Sequence, residues 1–391
     1  MTSLGHHEAL IRRGSDLHVA RVATESPQAG GLIIAPSFVG VCGTDLQILN
    51  GSRPDTAEIL GHEGLGIIVE TAGKIVTTGK GALRVGQQVV FNPAAQLSRG
   101  RILGHNTPGL FQKYITIDSQ AVEDGLVMPA SDCTPPVCGT LIEPLAAIVY
   151  AHELISNAVP DLRTAVVFGA GPVGLLATIY LSSLGVRVLL VHPTQARLDT
   201  VARFEISTPA AMLVASDDVA ERITARNDGH PVDAALICTT RAGAPSALRQ
   251  TVRSVRHGGC IDLVTNYPEN VATPHDINAP ALRAVRSANI CGSPKEGRYL
   301  FCDIVGDRIA FSSHRGTSHA HLKKAMDALS MNGAPYMRLI THIVPLREAA
   351  GAIQGLAESK SHFIDDKDCI KLAVDLTSSP LEVYQGTNRY V

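Results

Sequence analysis

The chain has 391 residues, of which 45% are hydrophobic and 18% charged, with a formal net charge of −2. A balance this close to neutral lacks the basic excess that nucleic acid or an acidic membrane surface would demand, so small-molecule partners are expected. The length exceeds what a single hydrophobic core usually serves, so two domains are expected. Residues 1–15 are polar and contain histidines, unlike a signal peptide, and the apolar runs read shorter than the roughly 20 residues a bilayer span needs. A cytoplasmic protein is expected. Eight cysteines (Cys42, Cys133, Cys138, Cys238, Cys260, Cys291, Cys302 and Cys369) are scattered without a Cys-X-X-Cys pair, which suits reduced thiols, most of them small core residues.

In chain order, residues 31–35, 66–70, 88–91 and 114–117 are β-rich runs bounded by glycine, proline and asparagine, and residues 9–129 read as an irregular β-barrel. Residues 93–108 form a polar loop. Apolar residues at helical spacing over 146–154 precede a strand at 164–168, and from there to about 293 strands alternate with helices at 175–184, 198–204 and 247–255. That alternation predicts a doubly wound parallel sheet. A helix at 324–329 and strands at 339–346 and 370–376 return to the first domain, which gives boundaries of 1–150, 151–317 and 318–391.

Two stretches carry chemistry. Val41-Cys42-Gly43-Thr44-Asp45 and Leu60-Gly61-His62-Glu63-Gly64 bring together a thiol, an imidazole and carboxylates. Sulfur and nitrogen donors suit zinc, and a catalytic zinc takes three protein ligands with a fourth position open. Cys42 and His62 are two candidate ligands. Glu143, an acid in an apolar run where an unpaired carboxylate is costly to bury, is the third, with Cys138 as the alternative. Glu63 is an orienting acid, a transient ligand or a base. Asp45 is an orienting partner or a turn-stabilising aspartate, and the former is favoured. His105, His152, His314 and His319 lack a neighbouring donor at metal-site spacing and are left out of the site.

The second stretch, Gly169-Ala170-Gly171-Pro172-Val173-Gly174, follows an apolar strand and opens a helix, the context in which Gly-X-Gly-X-X-Gly binds a dinucleotide. Gly169 serves the tight turn, Gly171 the approach of the pyrophosphate, and Gly174 the helix–sheet packing. The next strand ends at His192 where a carboxylate usually reads the ribose of NAD. With Thr194 and Arg197 following, NADP is slightly favoured over NAD, although Arg197 also reads as an ordinary helix-surface charge.

Together, Cys42-Gly-Thr-Asp, Gly61-His-Glu, Glu143-Pro-Leu, the glycine fingerprint, Leu339-Ile-Thr-His342 and Lys371-Leu-Ala-Val resemble the zinc-dependent medium-chain dehydrogenase/reductase family over nearly the whole chain. Within it they look most like the sorbitol, glucose and threonine dehydrogenase branch. The resemblance implies a GroES-like catalytic domain made from both chain ends, a Rossmann domain between them, the active site in the cleft, and a homo-dimer or homo-tetramer. It implies that Thr44 bonds the reacting oxygen. Two departures stand out: residues 92–110 have none of the four cysteines of the family's structural zinc, and Gln47 replaces the histidine that ends the family's proton relay. One catalytic zinc per chain is therefore expected, serving an NAD(P)-linked secondary alcohol dehydrogenase or ketone reductase acting on a sugar, polyol, cyclitol or amino alcohol. The sparse aromatics, 4% with no tryptophan, argue against a pocket for a flat apolar alcohol. A lyase or epimerase with transient hydride transfer, and a cofactor-binding protein without catalysis, are the alternatives.

Overall fold

The computed structural model describes residues 5–378 apart from 74, 77–81, 131–134, 206–208, 270, 305 and 359–361, so Cys133 lies outside the described residues. The chain divides into two compact units. One comprises Met1–Glu143, Leu329–Gly333 and Ile340–Val391, the other Pro144–Ala328 and Ala334–Leu339. The first division falls at Glu143, ahead of the 150 read from sequence, and on the return the helix His319–Met331 stays with the second unit as far as Ala328.

In the first unit a seven-stranded sheet runs in the order Ile340–Pro345, Lys371–Asp375, Leu32–Gly40, Glu63–Thr71, Gln88–Phe91 and Val127–Pro129, with Ile115–Ile117 also paired to Leu32–Gly40. Strands from the two ends of the sequence are thus adjacent. Ala373 pairs with Gly40 on one side, and Gly40 with Glu63 on the other. The core of this unit gathers Leu10, Leu32, Ile34, Val39, Leu60, Ile68, Phe91, Phe111, Leu372 and Val374, all nearly without exposure. The polar loop predicted at 93–108 contains a 3-10 turn, Leu97–Arg99, and is stitched down at its far end. Gly109 N donates to Ile59 O at 2.8 Å, Leu110 N to Gly61 O at 2.9 Å, and Phe111 N to Leu60 O at 3.0 Å.

The second unit holds the Rossmann sheet, ordered Ala211–Val214, Arg187–His192, Thr164–Phe168, Val232–Ile237, Val255–Asp262, Asp307–Ser312 and Leu300–Ile304. All neighbours are parallel except the last pair. The strand order reverses beside Thr164–Phe168, the switch point where doubly wound sheets bind ligands. The helices at this level are Pro172–Ser183, Gln195–Arg203 and Ala244–Thr251. The stretch read as a helix to 255 stops at 251, because Val255–Asp262 is needed as a sheet strand.

The stretch Pro136–Ala158 does reach the length and mean hydropathy, 1.3, of a membrane span, against the reading from sequence. Its apolarity has another cause: 78% of that window is buried inside the fold, as in a core helix.

Candidate active site

Sheet register brings the candidate metal donors together. The strand Leu32–Gly40 delivers the chain to Cys42, and the strand Glu63–Thr71 starts just after His62; because Gly40 faces Glu63, the two short motifs meet at one edge of the sheet. Cys42 then caps the helix Gly43–Leu49, which the sequence reading did not anticipate because Gly43 and Thr44 are poor helix formers. Asp45 closes the cap: its Oδ2 accepts from Cys42 N at 2.8 Å and its Oδ1 from Gly61 N at 3.2 Å. The same Oδ1 lies 3.7 Å from His62 Nδ1. Asp45, with no exposed surface, thereby ties the two motifs together and faces the imidazole.

Among the described residues, one group of three potential metal donors has its ligand atoms within 4.8 Å of one another: Cys42, His62 and Glu63. Glu143, the third ligand read from sequence, is not in that group. It stands close enough for its charge to be felt by His62, Glu63 and Lys371, and burial raises its carboxyl to about 7 while the His62 charge opposes the rise. Cys138 is buried in the 3-10 helix Pro136–Leu141 and is likewise outside the donor group. Burial, then the Glu63 charge, pushes the Cys42 thiol up. Burial works to lower His62, but the charge of Asp45 and the Cys42 thiol outweigh it and hold the imidazole at about 10. Soft and borderline donors packed this tightly fit a zinc ion.

Two neighbours were not read from sequence. Lys371 Nζ, buried with Glu63, ion-pairs the Glu63 carboxylate and donates to Val41 O at 3.1 Å. The pair crosses Gly40, where an added Cβ would come 2.8 Å from Lys371 Cε and 3.0 Å from Glu63 Oε2. His105, dismissed from the sequence as remote from any donor, has its ring centroid 5.0 Å from that of His62. Its Nδ1 lies 3.1 Å from Asp55 Oδ1, and Asp55 in turn accepts from Arg53 Nε at 2.8 Å. The other histidines left out lie elsewhere: His314 packs on Tyr150 in the second unit, His152 bonds Ser156, and His319 opens the helix His319–Met331.

The fingerprint glycines occupy distinct environments in the second unit. Gly169 has φ +115°, and a Cβ there would meet Cys238 O at 2.6 Å; one on Gly174 would meet Gly169 O at 1.8 Å. A Cβ on Gly171 would enter open space. Gly171 caps the helix that starts at Pro172 and Val173, and no side chain satisfies the cap, so its amide end is available to an anion. This cradle fits a dinucleotide pyrophosphate. At the end of the next strand His192 Nδ1 accepts from Thr194 N at 3.2 Å. Arg197 is not a surface charge: it is 7% exposed, and its Nε donates at 2.9 Å to Ala170 O inside the fingerprint. The apolar stem of an arginine packs well against a helix–sheet seam, which is why a helix-face reading misplaced it.

The alcohol dehydrogenase GroES-like domain family matches residues 28–126, the segment that carries Cys42, His62 and Glu63. Glucose 1-dehydrogenase of Thermoproteus tenax is 27% identical over 351 residues, covering 84% of this chain and 90% of that protein. The chain belongs to the medium-chain dehydrogenase/reductase family. As a member it is an alcohol/ketone oxidoreductase. The 2-dehydro-3-deoxy-L-galactonate 5-dehydrogenase of Pseudoalteromonas atlantica is 29% identical over 189 residues, 44% of this chain, and the match spans about half, 52%, of that relative's length. The fold agrees: an alcohol dehydrogenase from Thermotoga maritima superposes with a TM-score of 0.72 at 21% identity, over 95% of this chain and 99% of that one.

Proposed function

We propose that the chain interconverts a secondary alcohol and a ketone on a small hydroxylated substrate, using NAD(P) and one zinc ion held by Cys42, His62 and Glu63. The observation that carries this reading is the donor group itself, three ligand atoms within 4.8 Å at the end of the sheet strands that present them. When bound, zinc would act as a Lewis acid toward the substrate oxygen, stabilising alkoxide character in one direction and polarising a ketone in the other. The rest of the work falls to the chain. Asp45 holds the helix cap and faces the His62 ring; Thr44, in the first turn after Cys42, offers its hydroxyl to the reacting oxygen; and Glu143, its carboxyl raised to about 7 by burial, lies within electrostatic reach of His62 and Glu63. Gly171 and the helix behind it receive the pyrophosphate.

A hydroxylated substrate is supported by the sugar-acid, sugar and threonine dehydrogenases among the relatives. NADP over NAD is supported by the missing carboxylate at His192, with His192 and Thr194 left to contact a 2′-phosphate because Arg197 is engaged at Ala170. The family likeness supports a homo-oligomer, and the seven cysteines among the described residues, none in a disulfide, suit the cytoplasm. The test is cofactor reduction at 340 nm with a panel of polyols, aldoses and amino alcohols. Zinc-loaded protein should reduce NADP+ or NAD+ stoichiometrically with at least one of them, and Cys42→Ala should not; turnover surviving in Cys42→Ala above about a tenth of wild type rejects the metal role.

A further inference from the structure

Loop 104–109 lies against the backbone that carries His62. A Cβ on Gly104 would meet Gly61 O at 2.6 Å, and one on Gly109 would meet Gly61 O and Leu60 O at 2.4 Å, so only glycines at both positions allow so close an approach. The loop is fixed there by three backbone hydrogen bonds to residues 59–61 and by Ala57 N donating to His105 O at 2.8 Å. This geometry is what puts the His105 ring 5.0 Å from His62.

The ring is held in one orientation. Asp55, kept ionised by the Arg53 guanidinium, is acceptor-only, so His105 Nδ1 donates to it at 3.1 Å and the neutral ring carries its lone pair on Nε2. Among the described residues Nδ1 is the one ring nitrogen with a hydrogen-bond partner, while the side chain, 12% exposed, still reaches solvent. A part-buried histidine whose outer nitrogen is left for a ligand, beside a metal-binding residue, is built as a hydrogen-bond acceptor. We infer that His105, oriented by Asp55, determines substrate specificity by accepting a hydrogen bond from a hydroxyl neighbouring the reacting carbon, so that vicinal diols and polyols are preferred over monohydroxy alcohols.

The inference rests on the alcohol dehydrogenase reading of the same site, and the experiment separates the two. The kcat/KM values of wild type, His105→Phe, His105→Gln and Asp55→Asn are compared on butane-2,3-diol, meso-erythritol and xylitol, and on butan-2-ol and pentan-2-ol, with NADP+ and NAD+. His105→Phe keeps the ring packing and removes the acceptor. It should lower kcat/KM on the hydroxylated substrates by about tenfold or more, chiefly through KM, while the monohydroxy alcohols change by less than about threefold. Asp55→Asn should shift the same ratio in the same direction, and His105→Gln, which retains an acceptor, should recover part of it. Equal losses on both classes, or no loss on either, overturn the specificity role. A zinc-loaded wild type that oxidises none of the five overturns the dehydrogenase reading beneath it.

Discussion

Glu63 and Lys371, 308 positions apart in sequence, form an ion pair in the interior of the first unit, each only 2% exposed. The pair sits over Gly40, at the point where the strand from the C-terminal part of the chain pairs with the strand leading to Cys42. Among the described residues Lys371 is the one cationic side chain whose nitrogen lies on Glu63, and Glu63, Asp45 and Glu143 are three acids within electrostatic reach of His62.

Removing that cation should leave Glu63 charged and uncompensated in the interior. Lys371→Met is expected to lower the stability of the metal-free protein by roughly 3–5 kcal/mol, the usual cost of breaking a buried pair from one side. Lys371→Met combined with Glu63→Gln should recover most of it. Urea unfolding of the two variants checks this, and a double variant no more stable than the single one would show that the lysine acts through packing instead.

The second and third fingerprint glycines should fail differently. Gly171→Ala adds a Cβ into open space at φ −83°, so its melting temperature should stay close to wild type while NADPH affinity falls by about tenfold or more, the methyl standing where the pyrophosphate approaches. Gly174→Ala would drive a Cβ to 1.8 Å from Gly169 O and should destabilise the second unit outright. Fluorescence titration with NADPH alongside thermal unfolding separates the two; equal melting temperatures for both variants would contradict the packing role of Gly174.

Asp262 supplies a pH test in the second unit. It is fully buried, and burial raises its carboxyl to about 6 although the Ser312 hydroxyl, donating at 2.6 Å, works against the rise. A carboxyl raised above its unfolded value favours the fold while protonated. That contribution is present below about pH 4 and is lost as the pH climbs through about 6. Asp262→Asn, which can still accept from Ser312, should therefore be more stable than wild type at pH 8, by about 1–3 kcal/mol, and indistinguishable from it at pH 4. Urea unfolding at the two pH values decides; a variant less stable at pH 8 would mean that the ionised carboxylate is wanted.

What could be read from the sequence was what is local in it. Cys42 with Asp45, Gly61 with His62 and Glu63, and the fingerprint glycines each lie within a few residues of one another, and a short backbone motif fixes their relation whatever the rest of the fold does. The alternating strands and helices of the parallel sheet announced themselves by period for the same reason. Lys371 on Glu63 and His105 on Asp55 depend on strand register and on a loop folded back across two glycines, neither of which leaves a periodic signal. Arg197 was misplaced because a helical surface pattern gives no hint that one long side chain turns inward to Ala170. In the sequence Glu143 reads as the third donor and Glu63 as an orienting acid, a transient ligand or a base; sheet pairing, with Glu63 opposite Gly40, is what sets Glu63 beside the thiol.

The most direct test is a zinc titration of the metal-free protein, in wild type and in Cys42→Ala, Glu63→Gln and Glu143→Gln. A single site built from Cys42, His62 and Glu63 predicts one equivalent of tight binding in wild type, none in Cys42→Ala, and a loss of about 100-fold or more in affinity for Glu63→Gln. Glu143→Gln should lose no more than the roughly 10–100-fold of a supporting residue. A second tight equivalent per chain, or a larger loss in Glu143→Gln than in Glu63→Gln, would contradict it.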